Sequence, residues 1–159
     1  LKSDLAEAFV KSFYEKDIIP AFHEFCDLVI SQFSKLGVDS AIKSKNFKLL
    51  LNDNEIQFKR DIESSHGRYF FRRMRKNYIP CAENAGVYFF FDKEGKGLYV
   101  GKSDVSGGIG KRVDSHNLEF PDAEYVIVIP FSVAPFLAGA FERFLLSQFK
   151  FPHNSSRPL

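Results

Sequence analysis

Apolar positions recur at two different periods along this chain, and the period changes near its middle. In the first half the spacing is helical. Leu5, Phe9 and Phe13 follow one another at four-residue intervals, and Asp4 and Glu7 have capping-box spacing. Pro20 is expected to break or kink that helix, because it lacks an N–H and its ring crowds the carbonyl four residues back. A second helical pattern puts Phe22, Phe25, Cys26, Val29, Phe33 and Leu36 on one face, with Gly37 placed to cap its end. From Asn46 to Arg60 the period is mixed. Asn52-Asp53-Asn54 reads as a hairpin turn between Leu49–Leu51 and Ile56/Phe58, and a helix–turn–helix reading is nearly as good.

Beyond Pro80 the pattern turns to strands. Gly86-Val-Tyr-Phe-Phe-Phe91 is aromatic, Asp92-Lys-Glu-Gly95 suits a hairpin loop with Gly95 left-handed, and Leu98-Tyr-Val-Gly101 returns. A glycine-rich link, Ser106-Gly107-Gly108, leads to a short helix around Ile109–His116. Tyr125–Ile129 is apolar on both faces and therefore expected to be covered on both. Pro130 stops it, Ser132 can cap a last helix, and Pro135 falls in that helix's first turn, where proline is tolerated. The order β-β-α-β-α predicts an α+β unit, with a three-stranded antiparallel sheet flanked by helices. Residues 1–80 form a helical, basic accessory region, and residues 84–159 the small mixed unit.

Composition narrows the function classes. At 159 residues and 45% hydrophobic, the chain can bury a core, which excludes a disordered tail. No apolar run is long enough to cross a bilayer, and no cationic-then-apolar leader is visible. The cell interior is the expected compartment. Cys26 and Cys81 are too few for a disulfide framework or a zinc site. The net charge of +2 does not by itself announce nucleic acid. The halves differ, however: residues 1–80 carry 14 basic and 11 acidic side chains, residues 81–159 carry 8 and 9. Five cations fall in the stretch Arg68, Arg72, Arg73, Arg75 and Lys76, interleaved with Tyr69, Phe70 and Phe71. Such a stripe can track a phosphate backbone, or it can be the solvated face of a half-buried element. His23 and His66 are assigned no role.

Three features of the second half invite chemistry. Arg112 and His116 are four apart, so they share a helix face and can converge on one phosphate. Glu142 lies in an apolar helix among Phe141, Phe144 and Leu145, with Ala138 and Gly139 leaving space one turn earlier. A carboxylate there calls for a partner, and a divalent cation would supply one. Tyr88 and Tyr99 sit on adjacent strands of one hairpin, their relative facing set by a loop register that spacing alone leaves open. Each feature also has an ordinary reading: β propensity for the tyrosines, solvated helix faces for the charges.

Taken jointly, residues 86–154 resemble the GIY-YIG nuclease family. Gly86-Val87-Tyr88 matches its first motif and Tyr99-Val100-Gly101 its second, with the tyrosines eleven positions apart. Lys102 follows as in the excision-repair branch. Arg112 and His116 match the family's Arg-x-x-x-Tyr/His pair, Glu142 its metal-binding glutamate, and Asn154 its closing asparagine. The glycine-rich link before Arg112 is longer than in the repair branch. The resemblance implies a metal-dependent endonuclease acting on DNA, most simply double-stranded, with Mg²⁺ or Mn²⁺ held by Glu142 and no small-molecule cofactor.

In that reading Arg112 stabilises the pentavalent phosphorus, Tyr88 with His116 or Lys102 activates water, Tyr99 orients water or phosphate, and Asn154 fixes the chain after the last helix. A catalytic unit this small has little surface for reading sequence, so the Arg68–Lys76 stripe becomes the expected DNA contact. The rival classes are a non-catalytic nucleic-acid-binding module on the same fold, and a protein-interaction domain using its aromatic surface.

Overall fold

A computed structural model of the chain describes residues 2–34, 40–63, 71–72, 84–103 and 108–155. Helix α1 (Lys2–Phe13) runs through a five-residue π turn (Tyr14–Ile18) directly into α2 (Ile19–Ser34). The break expected at Pro20 is this π turn, not a helix end. The Ile19 N–H reaches back five residues to the Tyr14 carbonyl, so the ladder is already widened where the proline arrives.

The buried stripe also differs from the expected one. Ala6, Val10, Tyr14, Ile18, Ala21, Phe22 and Phe25 point inward, while Leu5 and Phe9 are 58% and 53% exposed. Two stripes of equal period lie one residue apart on α1, and the bulkier one faces out. Of Leu5, Phe9 and Phe13 only Phe13 turns in, its ring edge-on to Phe91 at 5.7 Å and Phe149 at 5.5 Å. Gly37 and Leu36 lie outside the described residues, as does the Phe33 side chain.

The hairpin reading of residues 46–60 is overturned. A single helix, α3, spans Ser40–Glu63. Among its described side chains, Leu51, Asn54 and Phe58 are buried, at spacings of three and four, and Asn52 and Asp53 are exposed. Of the polar triplet, only Asn54 faces inward.

Four strands make one antiparallel sheet in the order β1-β4-β2-β3: β1 Phe71–Arg72, β2 Gly86–Phe91, β3 Gly97–Ser103 and β4 Tyr125–Pro130. The three longer strands are those expected. The fourth comes from the region assigned to the accessory part, where Phe71 and Arg72 pair with Val126 and Tyr125.

The β2–β3 turn forms as its sequence predicts. Gly95 has φ 85°, and Asp92 Oδ1 accepts from the N–H groups of Glu94 and Lys96, each at 2.9 Å. A register shift at Phe90/Phe91 then sets Phe90 opposite Tyr99 and Tyr88 opposite Gly101.

Period 2 divides the sheet side chains between two cores. Val87, Phe89, Phe91, Val100, Tyr125, Ile127 and Ile129 meet α1, α2, α3 and the later helix α5 (Ala138–Gln148). Tyr88, Phe90, Tyr99, Val126 and Val128 meet α4 (Gly108–Glu119) through Ile109 and Val113. A 3₁₀ turn, Pro135–Leu137, leads into α5, and α6 (Pro152–Ser155) follows it.

The cap expected from Ser132 is not made. Ser132 is exposed, and Asn54 Oδ1 of α3 instead accepts from the Val133 and Ala134 N–H groups at 3.1 and 3.2 Å. The helices of the first 63 residues and the sheet thus share one hydrophobic core. Among the described residues, no helix is long and apolar enough to cross a membrane.

Candidate active site

Two glycines decide how close the elements come. A Cβ on Gly86 would collide with Ile109 Cδ1 and with the Ile129 carbonyl, so glycine here lets the first turn of α4 settle against β2. The Ile109 N–H donates to the Asn84 carbonyl at 2.9 Å and ties the same turn down. A Cβ on Gly101 would run into the ring and hydroxyl of Tyr88, which lie across the glycine on the neighbouring strand. The two glycines of the motifs therefore have a packing reason independent of any chemistry.

The register answers the question that spacing left open. Tyr88 and Tyr99 project from the same face, ring centroids 6.2 Å apart, and both are buried against α4. Arg112 stands on α4 with its side chain exposed to solvent and its charge within reach of the Tyr88 hydroxyl. Burial pushes that hydroxyl well above the ordinary phenol range; Tyr99 adds to the rise and the Arg112 guanidinium opposes it. Tyr88 is thus a neutral hydroxyl at any physiological pH. His116 lies on α4 one turn after Arg112, and its side chain is outside the described residues.

Lys102 and Glu142 come from the other side. Lys102 is paired with Val87, so it projects from the face opposite Tyr88, and its Cδ and Cε pass 3.8 and 3.9 Å from the Cβ position of Gly139 on α5. Glu142 follows Gly139 by three residues on α5 and is half-buried. The sheet therefore separates Tyr88, Tyr99 and Arg112 from Lys102 and Glu142, and the outer strand β3 runs between the two groups. Both α4 and α5 pack on β3, which brings the groups to the same sheet edge.

That edge is partly covered by Asn154. Its Oδ1 accepts from the Val100 N–H and its Nδ2 donates to the Val100 carbonyl, both at 2.9 Å. One side chain thus does for Val100 what a further strand would do, and α6 is fixed beside the second motif.

Pattern reasoning passed over three residues here. Phe120 lies between Tyr99, at 4.8 Å, and His153, which stacks on it at 4.9 Å and 10°. His153 Nε2 stands 2.9 and 3.0 Å from the two carboxylate oxygens of Asp122. Their only sequence signal was proximity to Asn154 and to the β4 turn. Of the basic stripe, only the backbone of Phe71–Arg72 is described. The side chains of Arg68, Arg72, Arg73, Arg75 and Lys76 lie outside the described residues.

Among the described residues no three His, Cys, Asp or Glu side chains gather as a metal cage. A single carboxylate such as Glu142 suits an ion that keeps its waters and takes further oxygens from a substrate, as Mg²⁺ does. Compared with protein-family models, with curated proteins and with solved structures, the chain matches none.

Proposed function

We propose that the chain is a divalent-metal-dependent endonuclease that hydrolyses phosphodiester bonds in DNA. The observation that carries this reading is the β2–β3 hairpin. It holds Tyr88 and Tyr99 side by side under Arg112, with Lys102 and the Glu142 helix against the opposite face of the same outer strand. Glu142 would hold the Mg²⁺ or Mn²⁺ ion, which when bound supplies charge stabilisation to the phosphate and the leaving oxygen.

The remaining work falls to the chain's own side chains. Arg112, exposed and planar, donates to two non-bridging phosphate oxygens at once. Lys102 adds a cation from the other face of β3. Burial holds the proton on Tyr88 and so disfavours phenolate as the base. The Tyr88 hydroxyl is closed to solvent in this structure. Once substrate binding admits the attacking water, the neutral hydroxyl takes a proton from it as its own proton passes to the imidazole of His116, leaving no charge on the tyrosine. Tyr99 orients water or phosphate beside it, and Asn154 keeps β3 in place at Val100.

Cleavage of supercoiled plasmid with and without Mg²⁺, run beside Glu142→Ala, tests the assignment. The parent is expected to nick or linearise DNA only with the metal, and the variant to bind DNA but not cut it. Mg²⁺-dependent cleavage at the parental rate by Glu142→Ala would overturn the assignment.

A further inference from the structure

The 3₁₀ turn before α5 exposes a large aromatic ring in an unusual position. Phe136 is 65% exposed, although it sits between the buried Ala134 and Leu137 in an otherwise apolar segment. Positions 136, 139 and 143 follow at spacings of three and four, so Phe136, Gly139 and Arg143 lie along one side of the turn and helix. Gly139 leaves a gap in that row. Lys102 crosses it from β3, with Cδ and Cε at 3.8 and 3.9 Å from the glycine's Cβ position, and Arg143 Nη1 comes within 3.6 Å of the same point. The stem of Lys102 and the guanidinium of Arg143 therefore meet over Gly139, which brings two cationic side chains from separate elements together, and an exposed aromatic ring adjoins them one turn away. Glu142 is the next residue before Arg143.

We propose that this surface binds a nucleic-acid strand at an unpaired nucleotide, with Phe136 stacking on the base and Lys102 and Arg143 holding the adjoining phosphate. The inference rests on the nucleic-acid reading of the neighbouring site and names its substrate class as DNA with a flap, bulge or single-stranded segment, not a continuous duplex. The chemistry of the three groups favours this occupant. A solvent-exposed phenyl ring can stack on any base, but only where the base is not already stacked in a duplex. A phosphate between two cations gains from both. A protein partner with an apolar side chain for Phe136 would have to bring an acidic group to the same spot, and nothing about the ring calls for that second feature.

The test is binding in EDTA, where no cleavage occurs. Fluorescence anisotropy compares the full chain on a blunt duplex and on the same duplex carrying a short unpaired flap that contains 2-aminopurine. The expected result is tighter binding to the flapped DNA, with quenching of 2-aminopurine by the stacked ring. Phe136→Ala should lose about tenfold or more on the flapped DNA and little on the duplex, while Phe136→Tyr retains both affinity and quenching. Arg143→Gln should lower the slope of log affinity against log salt by about one. Both positions are exposed, and equal thermal melting of parent and variants checks that the fold is intact.

Equal affinity of the parent for the two DNAs, or unchanged binding by Phe136→Ala, overturns the proposal. A chain that stacks the flap through Phe136 yet never cuts with Mg²⁺ would instead sink the nuclease reading and leave this one standing.

Discussion

A methyl group added at Gly101 would point into the Tyr88 ring, and the ring has no room to withdraw because it is fully buried. Gly101→Ala is therefore expected to cost about 1–3 kcal/mol, the usual range for overpacking. It should also disturb whatever Tyr88 does beside Arg112. Urea unfolding checks the first effect, and a variant as stable as the parent would show that the ring is not confined. Tyr88 itself carries a pH signature with a definite sign. In the unfolded chain its phenol titrates near 10, while in the folded chain burial holds the proton to higher pH. Above pH ~10 the unfolded state thus binds fewer protons, and stability falls by up to about 1.4 kcal/mol per pH unit; below that pH the group contributes nothing. Tyr88→Phe should remove this share of the alkaline loss, read as the difference in urea midpoints between pH 8 and 11. Both positions were marked in the sequence by their motifs, but the register that sets Gly101 against Tyr88 was not, because spacing alone leaves the loop register open. Asn54 was not legible. Its partners, the Val133 and Ala134 N–H groups, lie 79 and 80 residues away, and no local pattern distinguishes it from the exposed Asn52 beside it.

An outer strand with open N–H and C=O groups invites further pairing, and β3 is closed at Val100 by one amide side chain. Asn154→Ala should strip both bonds, cost about 1–3 kcal/mol and accelerate hydrogen exchange at the Val100 amide far more than at Phe89, its register partner. Asn154→Asp keeps an acceptor for the Val100 N–H but brings a carboxylate against the Val100 carbonyl, so its protection should fall between the two. Unchanged exchange in Asn154→Ala would mean that α6, and not the amide, covers the edge. The strands and the inward face of α2 (Phe22, Phe25, Cys26, Val29) were readable, while α1 was read on the wrong face. Strands β2, β3 and β4 announce themselves by aromatic and β-branched runs bounded by Asp-x-x-Gly and Pro. On α1 two stripes of the same period compete, and bulk favours Leu5 and Phe9 although the core takes Ala6, Val10 and Tyr14. Close packing decides this: small residues let α1 lie near the hairpin, where the Gly95 Cβ position is already 3.0 Å from Phe9 Cβ and 3.2 Å from Ala6 Cα.

Sequence pattern divided the chain near residue 80, but packing runs across that division. One face of β2, β3 and β4 is covered by Val10, Tyr14, Ile18, Phe22, Leu51 and Phe58 as well as by α5. Phe22 alone meets Phe58 at 5.3 Å, Phe131 at 6.0 Å and Phe141 at 5.5 Å, joining α2, α3, the segment after β4 and α5 in one aromatic cluster. Losing such a ring costs about 3–5 kcal/mol, against a total stability of about 5–15 kcal/mol for an ordinary domain. The helices before residue 64 therefore act as half of the core that supports the hairpin, whatever the basic stripe contacts. A fragment of residues 84–159 leaves Val87, Phe89, Ile127 and Ile129 without that half. It is expected to be insoluble, or to keep secondary structure while binding the dye ANS and melting without a sharp transition. The full chain should unfold in one cooperative step, with Phe58→Ala lowering its midpoint and leaving the single transition intact. A soluble 84–159 fragment with a sharp melting transition would show that α5 alone closes this face. The first 80 residues would then be a separable arm, and the loss of Asn54 from the turn before α5 would have no consequence for the helix that carries Glu142.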